Sequence, residues 1–320
     1  MKPEFSFVIA VAPYRNAEVI KSLNQLDYPK NKFEVIIERG LNPSDNRNRG
    51  AKKARGKFLA FIDDDAIVDK KLLKEAKKFF DEHGCVDIVG GPQMTPLDER
   101  GFAKISGYAL ASKFGGWETA NRYSGKKVIL NAEETMLTSA NLFCKREVMK
   151  RLQFNPKLWP GEDSKFIEDA KKIGMSVAYY PGIIVYHRRR DSLGKLIKQI
   201  YSYGKTRPEK ESIKETLKMP FFIVPSLFLI YLIALFLLSV PLTITGVSIG
   251  VQNTIYSKTF VFFSIPLVFY FILDFLFSGV NAFKSKDLKA LLVLPAVYPV
   301  IHLSYGLGFF ISSIKRLLKR

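Results

Sequence analysis

Residues 58–66 read Phe-Leu-Ala-Phe-Ile-Asp-Asp-Asp-Ala, and this run constrains the fold more than any other stretch. Five apolar residues in succession describe a buried strand, and the abrupt stop at Asp63, Asp64 and Asp65 describes a strand whose carboxyl end opens into a cleft. Three adjacent carboxylates repel one another. A solvated turn tolerates that repulsion, but directly after a core strand it is most simply relieved by a divalent cation with oxygen ligands. In open α/β sheets, ligands lie beyond the carboxyl ends of the strands, where these aspartates fall. A polar turn ahead of a helix at Lys70 explains the same residues without chemistry, so the rest of the chain has to decide.

The neighbouring segments supply what such a sheet needs. Residues 5–11 and 33–38 have the branched, apolar character of strands, and Pro13-Tyr14-Arg15-Asn16 is a loop into a helix that reaches about residue 26. Ser44 is placed to cap a basic helix over 46–54, which returns the chain to the aspartate-bearing strand. Strand, helix, strand, helix, strand predicts a parallel sheet. A helix over 70–80 and a strand over 86–89 continue the pattern until Gly90-Gly91-Pro92, after which 92–135 are irregular.

Two further stretches carry chemistry. Thr138-Ser139-Ala140-Asn141 precedes a short helix over 145–152, and Gly161-Glu162-Asp163 opens another helix. Carboxylates at a helix start complement its dipole and stabilise by ~0.3–1 kcal/mol without any chemistry. At the edge of a cleft, the same pair suits the activation of a hydroxyl. Strands over 177–180 and 183–186 then lead to His187-Arg188-Arg189-Arg190. A lone histidine is more often structural, but three arginines facing an acidic site suit a diphosphate whose charge is neutralised on both sides.

Lys and Arg number 49 against 30 acidic residues, a formal charge of +19 that points to a polyanionic partner: nucleic acid, anionic lipid or a phosphate-bearing substrate. From Met219 onward Phe, Leu, Ile and Val dominate, with apolar stretches at about 221–250, 259–283 and 288–311. Each can exceed the ~20 residues needed to cross a bilayer. Helices apolar on all faces would need a far larger protein around them to be a soluble core. Much of the basic surplus is then accounted for by lipid headgroups, and nucleic acid recedes as a partner. Residues 191–218 place Leu193, Leu196, Ile197, Ile200 and Tyr201 among Lys195, Lys198 and Lys205, an apolar face rimmed by cations that fits a headgroup-layer helix or a packed surface helix. The third stretch holds Pro295, Pro299, His302, Gly306 and Gly308 and ends in Lys315, Arg316, Lys319 and Arg320, which predicts a bend or a re-entrant turn returning the C-terminus to the cytosolic face. Met-Lys-Pro-Glu at the start has no signal-peptide character, and Cys85 and Cys144 are expected to be buried free thiols.

The order Val-Ala-Pro-Tyr-Arg-Asn, Phe-Glu-Val-Ile-Ile-Glu, Arg-Asn-Arg-Gly-Ala, Phe-Ile-Asp-Asp-Asp, Ser-Ala-Asn, Gly-Glu-Asp and His-x-x-Arg, spread over residues 5 to about 207, resembles the family 2 inverting glycosyltransferases. The layout, a catalytic domain followed by a few membrane segments, resembles the succinoglycan-type exopolysaccharide transferases. The resemblance implies an α/β GT-A fold, a Rossmann-like nucleotide-sugar-binding domain, with Mg2+ or Mn2+ between the aspartates and the sugar-nucleotide diphosphate. By position, it places Pro13, Glu38 and Arg47 at the nucleoside and Asp63 and Asp64 on the ribose and phosphate side. It gives the metal to Asp65 with Asp63, the role of base to Asp163, and the departing diphosphate to His187 and Arg190. Lys198-Gln199 and the run from Tyr203 through Arg207 resemble a Gln-and-Arg element that membrane-bound members place over the donor. Two departures stand out: Ile37-Glu38-Arg39-Gly40 replaces Val-Asp-Asp-Gly-Ser with a short link to Arg47-Asn48, and Arg15-Asn16-Ala17-Glu18 replaces Tyr-Asn-Glu, which leaves Glu18 unassigned.

The organisation this implies is a catalytic domain over 1–190, an interfacial region over 191–218 and a transmembrane region over 219–320, in a multi-pass cell-membrane protein whose catalytic domain faces the cytoplasm. The implied partners are a nucleotide-sugar donor, a lipid-linked or polysaccharide acceptor and membrane lipids, with no nucleic acid. A polyprenyl-phosphate sugar synthase is an alternative on the same fold, with a phosphate oxygen as nucleophile and less need of a base. A non-catalytic membrane-anchored nucleotide sensor is another, against which a retained Asp163 argues, since binding alone needs no base.

Overall fold

The computed structural model describes residues 2–211, 216–244 and 251–318. It divides into two compact units, Met1–Arg190 and Asp191–Arg320. Strands of the first unit are β1 (Phe5–Val11), β2 (Phe33–Arg39), β3 (Phe58–Asp63), β4 (Ile67–Val68), β5 (Ile88–Gly90), β6 (Gln93–Met94), β7 (Asn141–Lys145), β8 (Val177–Tyr179) and β9 (Val185–Tyr186). Among the described residues they form a main sheet in the order β2-β1-β3-β7-β5-β8 and a small sheet in the order β4-β9-β6. The longer helices are α1 (Pro43–Lys53), α2 (Leu72–Glu82), α3 (Gly101–Leu110) and α4 (Glu162–Lys172).

The period-two alternation of the strands feeds two cores. Phe5, Phe7 and Ile9 of β1 and Phe58, Ala60 and Ile62 of β3 join Leu72, Leu73, Ala76 and Phe79 of α2 on one side of the sheet. Val8, Leu59, Phe61, Leu142 and Cys144 meet Ala51 of α1 and Phe166, Ile167 and Ala170 of α4 on the other. Each large apolar side chain so buried contributes about 1.5–3 kcal/mol relative to exposure. A sheet covered on both faces leaves its strand ends as the place for a cleft.

Several local expectations are corrected. The sheet is mixed, because β7 runs antiparallel to both β3 and β5. The segment before β7, expected to be irregular, holds α3 and the single-turn helices Lys113–Gly116, Trp117–Ala120 and Asn121–Ser124. The short helix expected over 145–152 is confined to Val148–Arg151, because Leu142, Phe143 and Cys144 alternate between the two cores as a strand. Asn42, not Ser44, caps α1, its side-chain oxygen accepting from the Ser44 and Asp45 amides at 3.0 and 3.2 Å. The helix expected up to about residue 26 is only Ile20–Leu23, with the preceding Val19 amide held instead by the Asp64 carbonyl at 2.9 Å. Cys144 is buried as expected, whereas Cys85 is exposed in the turn after α2.

The second unit consists of α5 (Leu193–Lys210), α6 (Val224–Ile244), α7 (Val251–Ser285) and α8 (Leu288–Leu318). Lys258–Ser285 and Leu288–Leu318 are long and apolar enough to cross a membrane, while the apolar run Val224–Ser239 is shorter. The rest of the first apolar stretch, 245–250, lies outside the described residues. α8 is continuous, so the re-entrant turn expected in 288–311 is absent. Pro295 and Pro299 sit inside the helix beside the buried Leu294, Val297, Tyr298 and Ile301, packing that holds the helix together despite the missing amides. Gly204 and Gly308 do not break their helices either. They let α5 and α8 touch: an added Cβ would lie 2.1 Å from the Tyr305 carbonyl oxygen at Gly204, and 2.2 Å from that of Tyr201 at Gly308. At the far end of this contact, Arg316 donates to the carbonyls of Pro208 and Glu211 and so caps α5.

Candidate active site

The strand β3 ends at Asp63, and the turn that follows carries Asp64 and Asp65 directly into β4. β4 pairs antiparallel with β9, Ile67 opposite Tyr186, so the residue after β9, His187, is brought back alongside the aspartates. The His187 amide is itself held by the Met94 carbonyl at 2.9 Å. Its Nε2 lies 3.1 Å from Asp65 Oδ1 and 3.7 Å from Asp63 Oδ2. The cluster is closed from the β1 loop by Arg15, 2.7 Å from Asp65 Oδ2 and 3.2 Å from Asp64 Oδ1.

These contacts set the charge states. Burial alone would lower the His187 pKa, but hydrogen bonds and charge from Asp63 and Asp65 outweigh it and raise it to about 10. Burial would push the Asp65 carboxyl up, yet His187 and Arg15 hold it well below the usual range. Asp63 is likewise lowered, by His187 and Arg47 against burial. Asp64 goes the other way: burial and its two acidic neighbours lift it to about 6 despite Arg15.

The chemistry of the donor set fits a divalent cation. Asp63, Asp65 and His187 each offer one ligand atom, and these atoms lie within 4.8 Å of one another. Two carboxylates and an imidazole suit Mn2+, and the carboxylates suit Mg2+. Asp64 Oδ2, buried and without a hydrogen-bond partner among the described residues, adds an unsatisfied acceptor beside the set.

A second acidic pair stands at the start of α4. Gly161 at its N-cap has φ of 109°, a conformation that favours glycine, and it turns the chain into the helix immediately before Glu162 and Asp163. Glu162 is buried and meets Arg47 of α1, its Oε1 2.8 Å from the guanidinium. Burial, reinforced by the charge of Asp163, raises the Glu162 pKa against that pairing. Asp163 is partly exposed, its Oδ1 accepting from the Ser164 amide at 2.7 Å. The other arm of Arg47 reaches Asp63 Oδ1 at 3.4 Å, so one side chain touches both acidic groups.

The remaining expected residues take other positions. Pro13 is exposed in the β1 loop. Glu38 is buried at the end of β2 and paired with Lys53 at 2.5 Å and Arg49 at 3.3 Å. Arg190 is exposed, whereas its two neighbours are tied into the scaffold. Arg188 pairs with Asp98 at 2.8 Å, and Arg189 lies 4.6 Å above the Tyr123 ring. Asn141 is a pin, donating to the carbonyls of Pro92 at 3.0 Å and Ile183 at 2.8 Å. Within the second unit, Arg207 pairs with Glu211 at 2.8 Å and stacks on Phe222 at 3.7 Å. Sequence reasoning left Arg15 unassigned; a cation in the loop after the strand next to β3 was its only signal.

Comparison with known proteins shows the family and the fold. Residues 3–201 match the family model described as glycosyltransferase like family 2. The minor teichoic acid biosynthesis protein GgaB of Bacillus subtilis is 28% identical over a segment covering 50% of this chain and 17% of its own length. The poly(ribitol-phosphate) β-N-acetylglucosaminyltransferase TarS of Staphylococcus aureus is 30% identical over 24% of this chain and 19% of its own length. The matched segments thus span less than a fifth of these curated relatives. The mannosyltransferase PcManGT of Pyrobaculum calidifontis superposes with a TM-score of 0.54 at 14% identity, covering 94% of this chain and 88% of that one, and so shares the fold. With a GT-A-like α/β fold, an Asp–Asp–His cluster at the end of β3 and a family match over most of the first unit, the chain belongs to glycosyltransferase family 2.

Proposed function

We propose that this chain is a membrane-anchored, metal-dependent transferase that moves a sugar, with inversion, from a nucleotide-sugar donor to a lipid-linked or polysaccharide acceptor. The observation that carries the reading is the juxtaposition, through Arg47, of the Asp63–Asp65–His187 cluster and the helix start bearing Asp163. Asp63, Asp65 and His187 would hold Mg2+ or Mn2+. Bound there, the ion would neutralise charge on the diphosphate leaving group.

The other steps belong to this chain's residues. Asp163 takes the proton of an acceptor hydroxyl, and that oxygen forms a bond to the anomeric carbon on the face opposite the nucleotide. The bond from the anomeric carbon to the diphosphate breaks, and the nucleoside diphosphate leaves with the electron pair. Arg15 and the exposed Arg190 provide fixed positive charge for it. GgaB and TarS are named for teichoic acid and poly(ribitol-phosphate) chemistry, which supports a polyol-phosphate or saccharide chain as acceptor.

Membrane attachment rests on the second unit. Val261, Phe262, Phe269, Phe275 and Leu276 of α7 are exposed, apolar surface that lipid would cover. We place the protein as multi-pass, with the catalytic unit on the cytoplasmic side where nucleotide sugars are found. Detergent-purified protein incubated with UDP-, GDP- and dTDP-sugars and Mg2+ or Mn2+ should release nucleotide from at least one donor, and chelation should suppress that release. No release and no nucleotide binding across the panel would overturn the reading.

A further inference from the structure

Arg47 aligns with a position that the family resemblance gives to the nucleoside, yet its surroundings describe a different task. Its side chain is only 9% exposed, and both arms of its planar fork are committed: one to Glu162 at 2.8 Å, the other to Asp63 at 3.4 Å. The guanidinium also lies 5.5 Å from the Phe154 ring centroid, and Phe154 stacks on Phe166 of α4 at 4.3 Å.

The same helix, α1, grips the segment leading to α4 at two more points. Asn48 exchanges hydrogen bonds with the Phe154 backbone, donating to its carbonyl at 2.8 Å and accepting from its amide at 3.0 Å. Asn42 donates to the Pro156 carbonyl at 2.7 Å. Arg47 and Asn48 of α1, with its N-cap Asn42, therefore fix the approach to Glu162.

We propose that Arg47 is a positioning residue and not a nucleoside ligand, and that with Glu162 it forms a buried strut setting the Asp163 carboxylate relative to Asp63. Adjacent residues on an α-helix project about 100° apart. Tying Glu162 into the interior therefore fixes the direction of Asp163, which is left partly exposed on the next position. Only arginine spans two carboxylates in this way; a lysine ammonium is a point charge on a flexible stem.

This inference rests on the sugar-transfer reading of the site, and the two fail differently. The tests use full-length detergent-purified protein, the donor turned over by the wild type, and UDP and GDP with Mn2+ as binding probes. Arg47→Lys and Glu162→Gln should each lower kcat by ~10–10²-fold, the scale for a lost supporting partner, with nucleotide Kd and donor KM within about threefold of wild type. The double variant should be no slower than the slower single one, as expected for two members of one unit. Because removing one partner of a buried ion pair can unfold a protein, Arg47→Met with Glu162→Met supplies the control. It should melt near the wild-type temperature while kcat stays low. A raised nucleotide Kd in Arg47→Lys with kcat intact would return Arg47 to the nucleoside, and an unaltered Glu162→Gln would overturn the strut. A wild type that binds no nucleotide and releases none would remove the sugar-transfer reading, and the strut with it.

Discussion

Replacing Asp163 with Asn should slow sugar transfer by ~10²–10⁴-fold while donor binding persists, the range for a lost general base. The substitution is nearly isosteric and keeps an oxygen that can accept from the Ser164 amide, so the start of α4 should be undisturbed. Only the capacity to accept a proton is removed. Glu162 cannot stand in: it is buried and held by Arg47, while Asp163 is the member of the pair that solvent and an acceptor can reach. Steady-state kinetics with the active donor, together with nucleotide titration, separates the two parts of this expectation. A rate within about tenfold of wild type would remove Asp163 from the chemistry and favour a phosphate acceptor, whose oxygen needs little help to lose a proton.

Asp65→Asn should be comparably severe but for another reason. Asp65 is held ionised by His187 and Arg15, which makes it an anionic ligand atom at the rim of the cluster. Losing even a partner that only supports a metal ligand costs about 10–10²-fold in metal affinity or activity, and losing a ligand itself costs more. The expected result is a fall in turnover of more than about 10²-fold, accompanied by weaker Mn2+-dependent binding of the nucleotide. Calorimetric titration of nucleotide with and without Mn2+ measures the second effect independently of turnover. Unchanged metal-dependent affinity in Asp65→Asn would contradict the ligand role.

The acidic cluster was legible because its signal is local. An apolar run of five residues stopping at three aspartates has the composition of a strand end, and the structure ends β3 at Asp63. β1 and β2 were legible for the same reason, their composition being stronger than any competing pattern. What the sequence concealed depends on residues far apart in the chain. β7 is a five-residue segment whose place between β3 and β5 is set by tertiary pairing, so its alternation read as the approach to a helix. Asn141 looked functional beside Ser139, but two backbone carbonyls use its amide; removing it would leave that of Ile183 unpaired at about 1–3 kcal/mol, while that of Pro92 keeps the Val185 amide at 3.1 Å. The Arg47–Glu162 pair joins α1 to α4 and has no signature within either helix. In the second unit, Pro and Gly in α8 signalled a break by their intrinsic propensities; packing against α5 and α6 reversed that outcome, since the glycines mark where neighbouring backbones approach.

Inversion at the sugar is the central chemical claim, because a base on one side and a diphosphate on the other define a single displacement. Proton NMR of the glycoside formed, read from the coupling at its anomeric position, tests that claim directly. An α-linked nucleotide sugar should give a β-linked product. An α-linked product would contradict the single displacement and the role of Asp163 with it.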